Sequence, residues 1–192
     1  MQPQMKIPSN RGEEEMLEGK NVNLRVMEKE DLSLVKEWVN DLEFAGEYEA
    51  ISQETKMDLE KQYDQLTEGK WFFVEKDSSK IGYVAHYVVS GKLTEIGYSL
   101  VPSERGKGYG TEAVKIMVDY LFLSKDIVRI QAKTDPRNVA SQRILEKAGF
   151  KKEGTMRKSF FCRGEWRDTV LFAILRDEWK EPKILTKITS QS

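Results

Sequence analysis

Hydrophobic and polar positions change their period along the chain, and these changes predict alternating strands and helices. Short runs that are apolar throughout, or apolar at every second residue, are typical of strands. They occupy residues 21–27, 71–75, 81–89, 93–101, 127–133, 150–161 and 166–175. Helical spacing of apolar residues occupies about 31–39, 52–66, 110–124 and 138–149. The third helix is the clearest, because its apolar residues form one stripe: Ala113, Ile116, Met117, Tyr120 and Leu121.

The order of these elements predicts the fold class. Hairpins followed by a β-α-β-α-β-β run indicate an α/β domain, with a mixed twisted sheet of about seven strands and helices on both faces. A helix connects the strands that begin at Leu93 and Ile127, so those two strands should run parallel. We expect one domain over residues 19–180. Residues 1–18 and 181–192 lack a periodic pattern and are predicted to be loose tails.

Composition narrows the classes of function. The 192 residues carry a net charge of −1, which gives no general attraction to nucleic acid or to a membrane surface. Cys162 is the only cysteine and His86 the only histidine, so a zinc site built from these residue types is not expected. No apolar run approaches the roughly 20 residues of a membrane span. These features favour a cytoplasmic protein without a metal.

A glycine-rich turn after the strand at 93–101 carries the most chemical information. Arg105, Gly106, Gly108 and Gly110 form the pattern R-x-x-G-x-G, and a predicted helix follows directly. Glycines let a ligand approach the backbone, and the start of a helix offers unpaired N–H groups. Together they predict a phosphate cradle. The spacing fits neither a P-loop nor a dinucleotide-binding fingerprint.

This turn resembles the coenzyme A loop of the GNAT superfamily of N-acetyltransferases. A second block supports the resemblance, because the stretch from Asn138 to Phe150 reads N-x-x-S-x-x-x-L-E-K-x-G-F after a strand. The blocks are most similar to the branch that contains the ribosomal-protein N-terminal acetyltransferases, and the resemblance covers roughly residues 20–180. It implies a GNAT-like fold and direct transfer of acetyl from acetyl-CoA to a primary amine.

The resemblance also implies which residues hold coenzyme A. The pyrophosphate would lie on the N–H groups of the glycine turn, and the pantetheine arm would pair with a strand that splays from its parallel neighbour. The residues expected to bind the cofactor are Leu100, Val101, Arg105, Gly106, Lys107, Gly108, Tyr109, Gly110, Thr111 and Asn138.

Two residues are candidates for proton transfer. Many family members carry a tyrosine seven positions after the asparagine, but this chain has Leu145 there. The resemblance therefore leaves Ser141 as the group that assists the leaving thiolate. Glu95, a carboxylate within a strand, is the candidate general base, with Glu165 and Asp168 as rivals. His86 is expected to be a packed residue of its strand.

The acceptor stays open at this stage. The branch that the chain resembles implies the N-terminal amine of a protein, most simply a ribosomal one. A small amine such as an aminoglycoside or a polyamine is the alternative, and an acidic cleft would favour it. Four acidic residues between the first two helices are available for such a cleft: Glu43, Glu47, Glu49 and Glu54. A coenzyme A-binding module without catalysis is a third reading, and the protein could be a monomer or a homodimer.

Overall fold

A computed structural model describes residues 16–180 and 182. Within these residues the strands are β1 (Met16–Leu17), β2 (Asn23–Val26), β3 (Lys70–Lys76), β4 (Ser79–Ser90), β5 (Leu93–Leu100), β6 (Arg129–Thr134), β7 (Lys151–Cys162) and β8 (Glu165–Leu175). The α-helices are α1 (Leu32–Val39), α2 (Leu42–Ala45), α3 (Lys56–Asp64), α4 (Tyr109–Ser124) and α5 (Val139–Lys147). Two 3₁₀ turns, Lys29–Asp31 and Pro102–Glu104, precede α1 and α4.

The strands of the described region form one mixed sheet in the order β1-β2-β3-β4-β5-β6-β8-β7. All neighbours are antiparallel except β5 and β6, which run parallel as predicted. The sheet has one strand more than the seven expected, because Met16 and Leu17 pair with Arg25 and Leu24. Two residues have too little pattern to predict a strand, and this pair had been assigned to the N-terminal tail. Residues 1–15 and most of 181–192 lie outside the described residues, so the tails stay a prediction.

Helices cover both faces of the sheet, as the pattern predicted. On one face α4 and α5 pack over the strands in the larger core, which includes Phe72, Val84, Ile96, Met117 and Phe172. On the other face α1 and α3 pack over β2, β3 and β4 in a smaller core. Successive residues of β3 alternate between the two cores, so this strand is apolar throughout. The smaller core stops at β4, and the short helix α2 extends this layer to β5 on the same face.

Polar side chains cap the starts of two helices. Asn138 caps α5 by accepting a hydrogen bond from Ser141 N at 3.0 Å. Thr55 caps α3 through a reciprocal pair of bonds with Asp58. The short helix α2 was not predicted, because its four residues are fewer than the period needs for a visible stripe. Its buried residue Phe44 stacks against Trp38 and Tyr83.

Candidate active site

Strands β5 and β6 separate at the centre of the sheet. They pair only from Leu93 to Glu95 on β5 and from Arg129 to Gln131 on β6. Beyond this point β6 continues along β8 and β5 continues along β4, as far as Leu100. A wedge therefore opens between the two parallel strands, as the family resemblance implied.

The open edge of β5 offers free backbone groups to the wedge. Val101 N donates to Ile81 O on the β4 side at 2.9 Å. Bonded positions alternate along an antiparallel pair, so Ser99 and Gly97 also point their backbone groups toward β4. The C=O group of Ile96 and both backbone groups of Tyr98 then face the wedge, while the N–H of Ile96 belongs to the last rung of the β5–β6 pairing. An extended amide chain such as pantetheine can pair with these groups.

The glycine loop (residues 105–111) closes one end of the wedge. Gly106 and Gly108 have φ angles of 76° and 91°, and a Cβ added at either position meets no atom within 4 Å. Gly108 is the residue before α4, and the first bond of this helix runs from Glu112 N to Gly108 O. The N–H groups of Tyr109, Gly110 and Thr111 precede that bond and point out of the helix start. Open space and free donors at this place fit a pyrophosphate.

The two basic residues of the glycine loop differ in the hydrogen bonds and ion pairs that they form. Arg105 Nε donates to Leu100 O at 2.9 Å, and its Nη2 donates to Phe44 O. Lys107 is exposed, and within residues 16–180 its ion-pair partner is Glu104, at 3.1 Å. The structure thus gives Arg105 a bridging position that the sequence had not indicated, whereas Lys107 remains available to phosphate.

Ser141 lies beside an unexpected partner. Its Oγ is 2.9 Å from the hydroxyl of Tyr98, and this hydroxyl also donates to Ser141 O at 3.2 Å. Tyr98 projects from β5 at the wedge, and burial raises its pKa to about 12. No motif in the sequence marks Tyr98. A tyrosine that alternates with Ile96 and Leu100 on a core-facing strand was the available signal, since a buried hydroxyl needs a partner.

Glu95 lies on the opposite face of the sheet, at the last residue pair before the wedge opens. Its Oε2 accepts from Gln131 Nε2 at 2.7 Å and pairs with Lys133 Nζ at 2.8 Å. Oε1 has no hydrogen-bond partner among the described residues. Tyr87 lies next to Glu95 on β4, and its pKa is raised by burial and by the charge of Glu95. The carboxylate therefore stands at the mouth of the wedge, on the face opposite α4 and α5.

A segment after α2, which we call the acceptor segment (residues 44–50), is fastened along the edge of this face. Arginine side chains hold three of its carbonyl groups. Arg105 donates to Phe44 O, Arg163 to Gly46 O, and Arg167 to Glu47 O. Arg105 comes from the glycine loop and the other two come from the β7–β8 hairpin, so the segment is joined to both.

Carboxylates near the acceptor segment are largely neutralised. Asp135 is buried and accepts three hydrogen bonds from Arg137, which lower its pKa. Glu165 pairs with Arg167 at 2.7 Å. Glu49 differs, because desolvation by the surrounding protein raises its pKa although its side chain is exposed, and its charge adds to burial in raising the pKa of Tyr83.

The remaining candidates from the sequence are structural. Asp168 accepts from Lys158 N at 2.9 Å, where a bulge interrupts the β7–β8 pairing. His86 is 1 % exposed, packs against the rings of Phe72 and Tyr120, and has a pKa lowered to about 4 by burial. A base must reach the amine, so His86 is not placed for catalysis. Among residues 16–180 and 182, no cluster of three potential metal ligands occurs and no helix is long and apolar enough to cross a membrane.

Comparison with known proteins identifies the family. The model of the acetyltransferase (GNAT) domain matches residues 21–151. The probable N-acetyltransferase YjcK of Bacillus subtilis is 35% identical over 181 residues, covering 85% of this chain and 98% of its own. The aminoglycoside N(6')-acetyltransferase type 1 of Klebsiella pneumoniae is 30% identical, covering 71% and 77% of the two chains.

Solved structures agree with this match. A GNAT-family acetyltransferase from Bacillus anthracis superimposes with a TM-score of 0.73 at 26% identity, covering 85% of this chain and 99% of its own. The predicted fold is therefore confirmed. The chain belongs to the GNAT family and is an N-acetyltransferase that uses acetyl-CoA.

Proposed function

We propose that the protein acetylates the N-terminal α-amine of a polypeptide, most simply a ribosomal protein, in the cytoplasm. Acetyl-CoA supplies the acetyl group as a thioester. The glycine loop holds its pyrophosphate through the N–H groups of Gly108 to Thr111, with Lys107 adding charge. The open edge of β5, up to Leu100 and Val101, aligns the pantetheine arm, and Asn138 borders it from the start of α5.

The charge balance of the acceptor side carries the choice of acceptor. A polyamine or an aminoglycoside has several positive charges and needs several unpaired carboxylates. Here Asp135, Glu165 and Glu95 each have a cationic partner within 2.8 Å. Glu54 accepts hydrogen bonds from Ser52 and Gln62, whereas Glu43, Glu47 and Glu49 have no ion-pair partner among the described residues. The carboxylates nearest the wedge are thus already paired, and this pairing favours an acceptor with one positive charge at the reacting end.

The shape of the acceptor side supports the same choice. Helices α4 and α5 lie on the face opposite Glu95, and on its own face the short α2 contacts β5, so a chain would extend away from the reacting amine past α2. An α-amine titrates near 8, whereas a lysine amine titrates near 10.4. A weakly activated base is therefore sufficient for a protein N-terminus, and Glu95, which already pairs with Lys133, is such a base.

Two side chains would handle protons on opposite sides of the transfer. Glu95 Oε1 accepts the proton of the ammonium or of the attacking amine, directly or through water. Ser141 Oγ donates a hydrogen bond to the sulfur as the C–S bond breaks. The transfer forms one C–N bond, breaks one C–S bond and needs no covalent enzyme intermediate.

Thiol release from acetyl-CoA tests the proposal. The purified protein is assayed with peptides that begin with Ser, Ala or Met, with the same peptides after N-terminal blocking, and with spermidine and kanamycin. Release that requires a free peptide N-terminus is the expected result. Release with spermidine or kanamycin but with no peptide would overturn it.

Similarity gives one specific alternative. The spermidine N(1)-acetyltransferase of Escherichia coli is 28% identical over 166 residues, covering 83% of this chain and 88% of its own. Acetylation of a polyamine by this chain would need carboxylates for the second and third ammonium groups, either Glu43, Glu47 and Glu49 or the opened ion pairs of Glu95 and Glu165. Competition by spermidine in the peptide assay measures this directly.

A further inference from the structure

We infer that Tyr98 is a positioning residue for Ser141, and that its hydroxyl directs the single Ser141 proton toward the sulfur of the leaving thiolate. The inference rests on the proposed transfer reaction and adds a residue to it. Tyr98 stands on β5 at the open edge, and Ser141 stands in the first turn of α5, so the pair joins the two elements that border the wedge.

The geometry defines the direction of the proton. The two hydroxyl oxygens are 2.9 Å apart, and each carries one hydrogen. If Ser141 Oγ donates its hydrogen to the Tyr98 hydroxyl, that hydrogen is not available to the sulfur. The tyrosine then donates to Ser141 O, which lies 3.2 Å away. If Tyr98 donates to Ser141 Oγ, the serine hydroxyl is free to donate its own hydrogen bond toward the wedge. A thiolate developing there favours the second arrangement, because a hydrogen bond to a charged acceptor is the stronger one.

The backbone fixes the serine for this role. Asn138 Oδ1 accepts from Ser141 N at 3.0 Å, which holds the residue in the first helical turn. With the backbone fixed there and Tyr98 on one side of Oγ, the serine has little freedom to turn its hydroxyl away. The chain has Leu145 where many family members carry a tyrosine, so Tyr98 brings a phenol to the same region from a different element.

Tyr98 acts by hydrogen bonding and does not give up its proton. Burial raises the pKa of Tyr98 to about 12, whereas a free thiol titrates near 8.5. Net transfer from the phenol to the thiolate would therefore run uphill. The phenol instead stabilises the serine oxygen while the serine proton is shared with sulfur. The proton that finally reaches the thiol comes from the attacking amine by way of solvent.

A double-mutant cycle tests the inference. The variants Tyr98→Phe, Ser141→Ala and the double variant are compared for kcat with the best peptide acceptor and for the Kd of acetyl-CoA. Tyr98→Phe keeps the ring in its place, so we expect kcat to fall about tenfold while Kd changes less than about twofold. The double variant should be no slower than Ser141→Ala, because the phenol acts through the serine. Tyr120→Phe, which removes a hydroxyl from the same core, is the matched control and should keep the wild-type kcat.

Three outcomes would overturn the inference. The first is a kcat of Tyr98→Phe equal to that of the wild type. The second is a double variant in which the two losses multiply, and the third is an effect of Tyr98→Phe confined to the Kd of acetyl-CoA. A wild-type protein that binds acetyl-CoA but acetylates no amine would instead refute the proposed function, and the inference with it.

Discussion

The guanidinium of Arg105 joins the carbonyl of Phe44 to the carbonyl of Leu100. Leu100 ends the strand that borders the cofactor wedge, and Phe44 begins the acceptor segment. One side chain thus connects the place where the donor lies with the segment beside the acceptor. The R-x-x-G-x-G pattern suggested a phosphate ligand at this position, whereas the observed bonds give the arginine a scaffolding position.

This bridge predicts the effect of Arg105→Ala. Loss of both bonds frees the acceptor segment, so the KM for the acceptor should rise about tenfold, the equivalent of one net hydrogen bond to a charged group. The Kd of acetyl-CoA should change less. Lys107→Ala is the matched control, because Lys107 is exposed on the same loop. This variant should weaken the binding of acetyl-CoA instead, and the loss of affinity should be larger at low salt. If Arg105→Ala instead raises the Kd of acetyl-CoA and leaves the KM for the acceptor unchanged, Arg105 is a phosphate ligand.

The glycine loop predicts a selective loss of cofactor binding. Gly106→Ala places a methyl group in space that is open in the protein and that the pyrophosphate is proposed to occupy. We expect the Kd of acetyl-CoA to rise at least about tenfold, in addition to about 1 kcal/mol of lost stability from the positive φ angle. Calorimetric titration and thermal unfolding separate the two effects.

A control for this experiment lies in the turn between β4 and β5. Gly91 also has a positive φ angle, 51°, and a Cβ there also meets no atom within 4 Å. Gly91→Ala should therefore cost similar stability and leave the Kd of acetyl-CoA unchanged. If both variants bind acetyl-CoA equally well, the loop does not hold the pyrophosphate.

Much of the fold was predictable because period and capping are local signals. The helix α4, the strand β6 and the cap at Asn138 are each readable from a short window of sequence, and each is present in the structure. The two-residue β1 and the four-residue α2 were not predicted, because their pairing and packing depend on partners elsewhere in the chain.

The site was predictable only where a motif marks it. Glycines that need space and an asparagine at a helix start have local causes, so the cofactor loop was visible in the sequence. Contacts between distant elements had no such mark. The 2.9 Å approach of Tyr98 and Ser141 spans 43 positions, and the bond between Arg105 and Phe44 spans 61. These contacts arise from the packing of the sheet, which no spacing rule encodes.

The ion pair of Glu95 provides a test of its role as the base. Glu95→Gln keeps the size of the side chain and removes the proton acceptor, so kcat/KM should fall about a hundredfold, the lower range for general acid–base catalysis. Lys133→Gln removes the same ion pair and keeps the carboxylate. The kcat/KM of Lys133→Gln should therefore stay within about threefold of the wild-type value. Equal losses in the two variants would mean that the pair is structural, and Glu49→Gln would then be the next variant to assay.

Buried His86 predicts how stability depends on pH. Its pKa is about 4 in the folded protein and near 6.5 when unfolded, because burial disfavours the charged form. Between these values the unfolded chain binds the additional proton. The free energy of unfolding should therefore fall as the pH drops from 6.5 to 4, by about 3 kcal/mol in total, and should lose nothing from this group above pH 6.5.

The variant His86→Leu separates this effect from other titrations. Its neutral side chain cannot take up a proton, so its urea midpoint should change little between pH 6.5 and 4.5, where that of the wild type falls. Asp31 titrates in a different window. Burial opposes its charge, but hydrogen bonds from Arg25 and Lys80 outweigh this and lower its pKa to about 2. Its contribution is lost only as the pH falls below about 4, in both proteins. Parallel curves for wild type and variant between pH 6.5 and 4.5 would mean that the imidazole of His86 is charged in the folded protein.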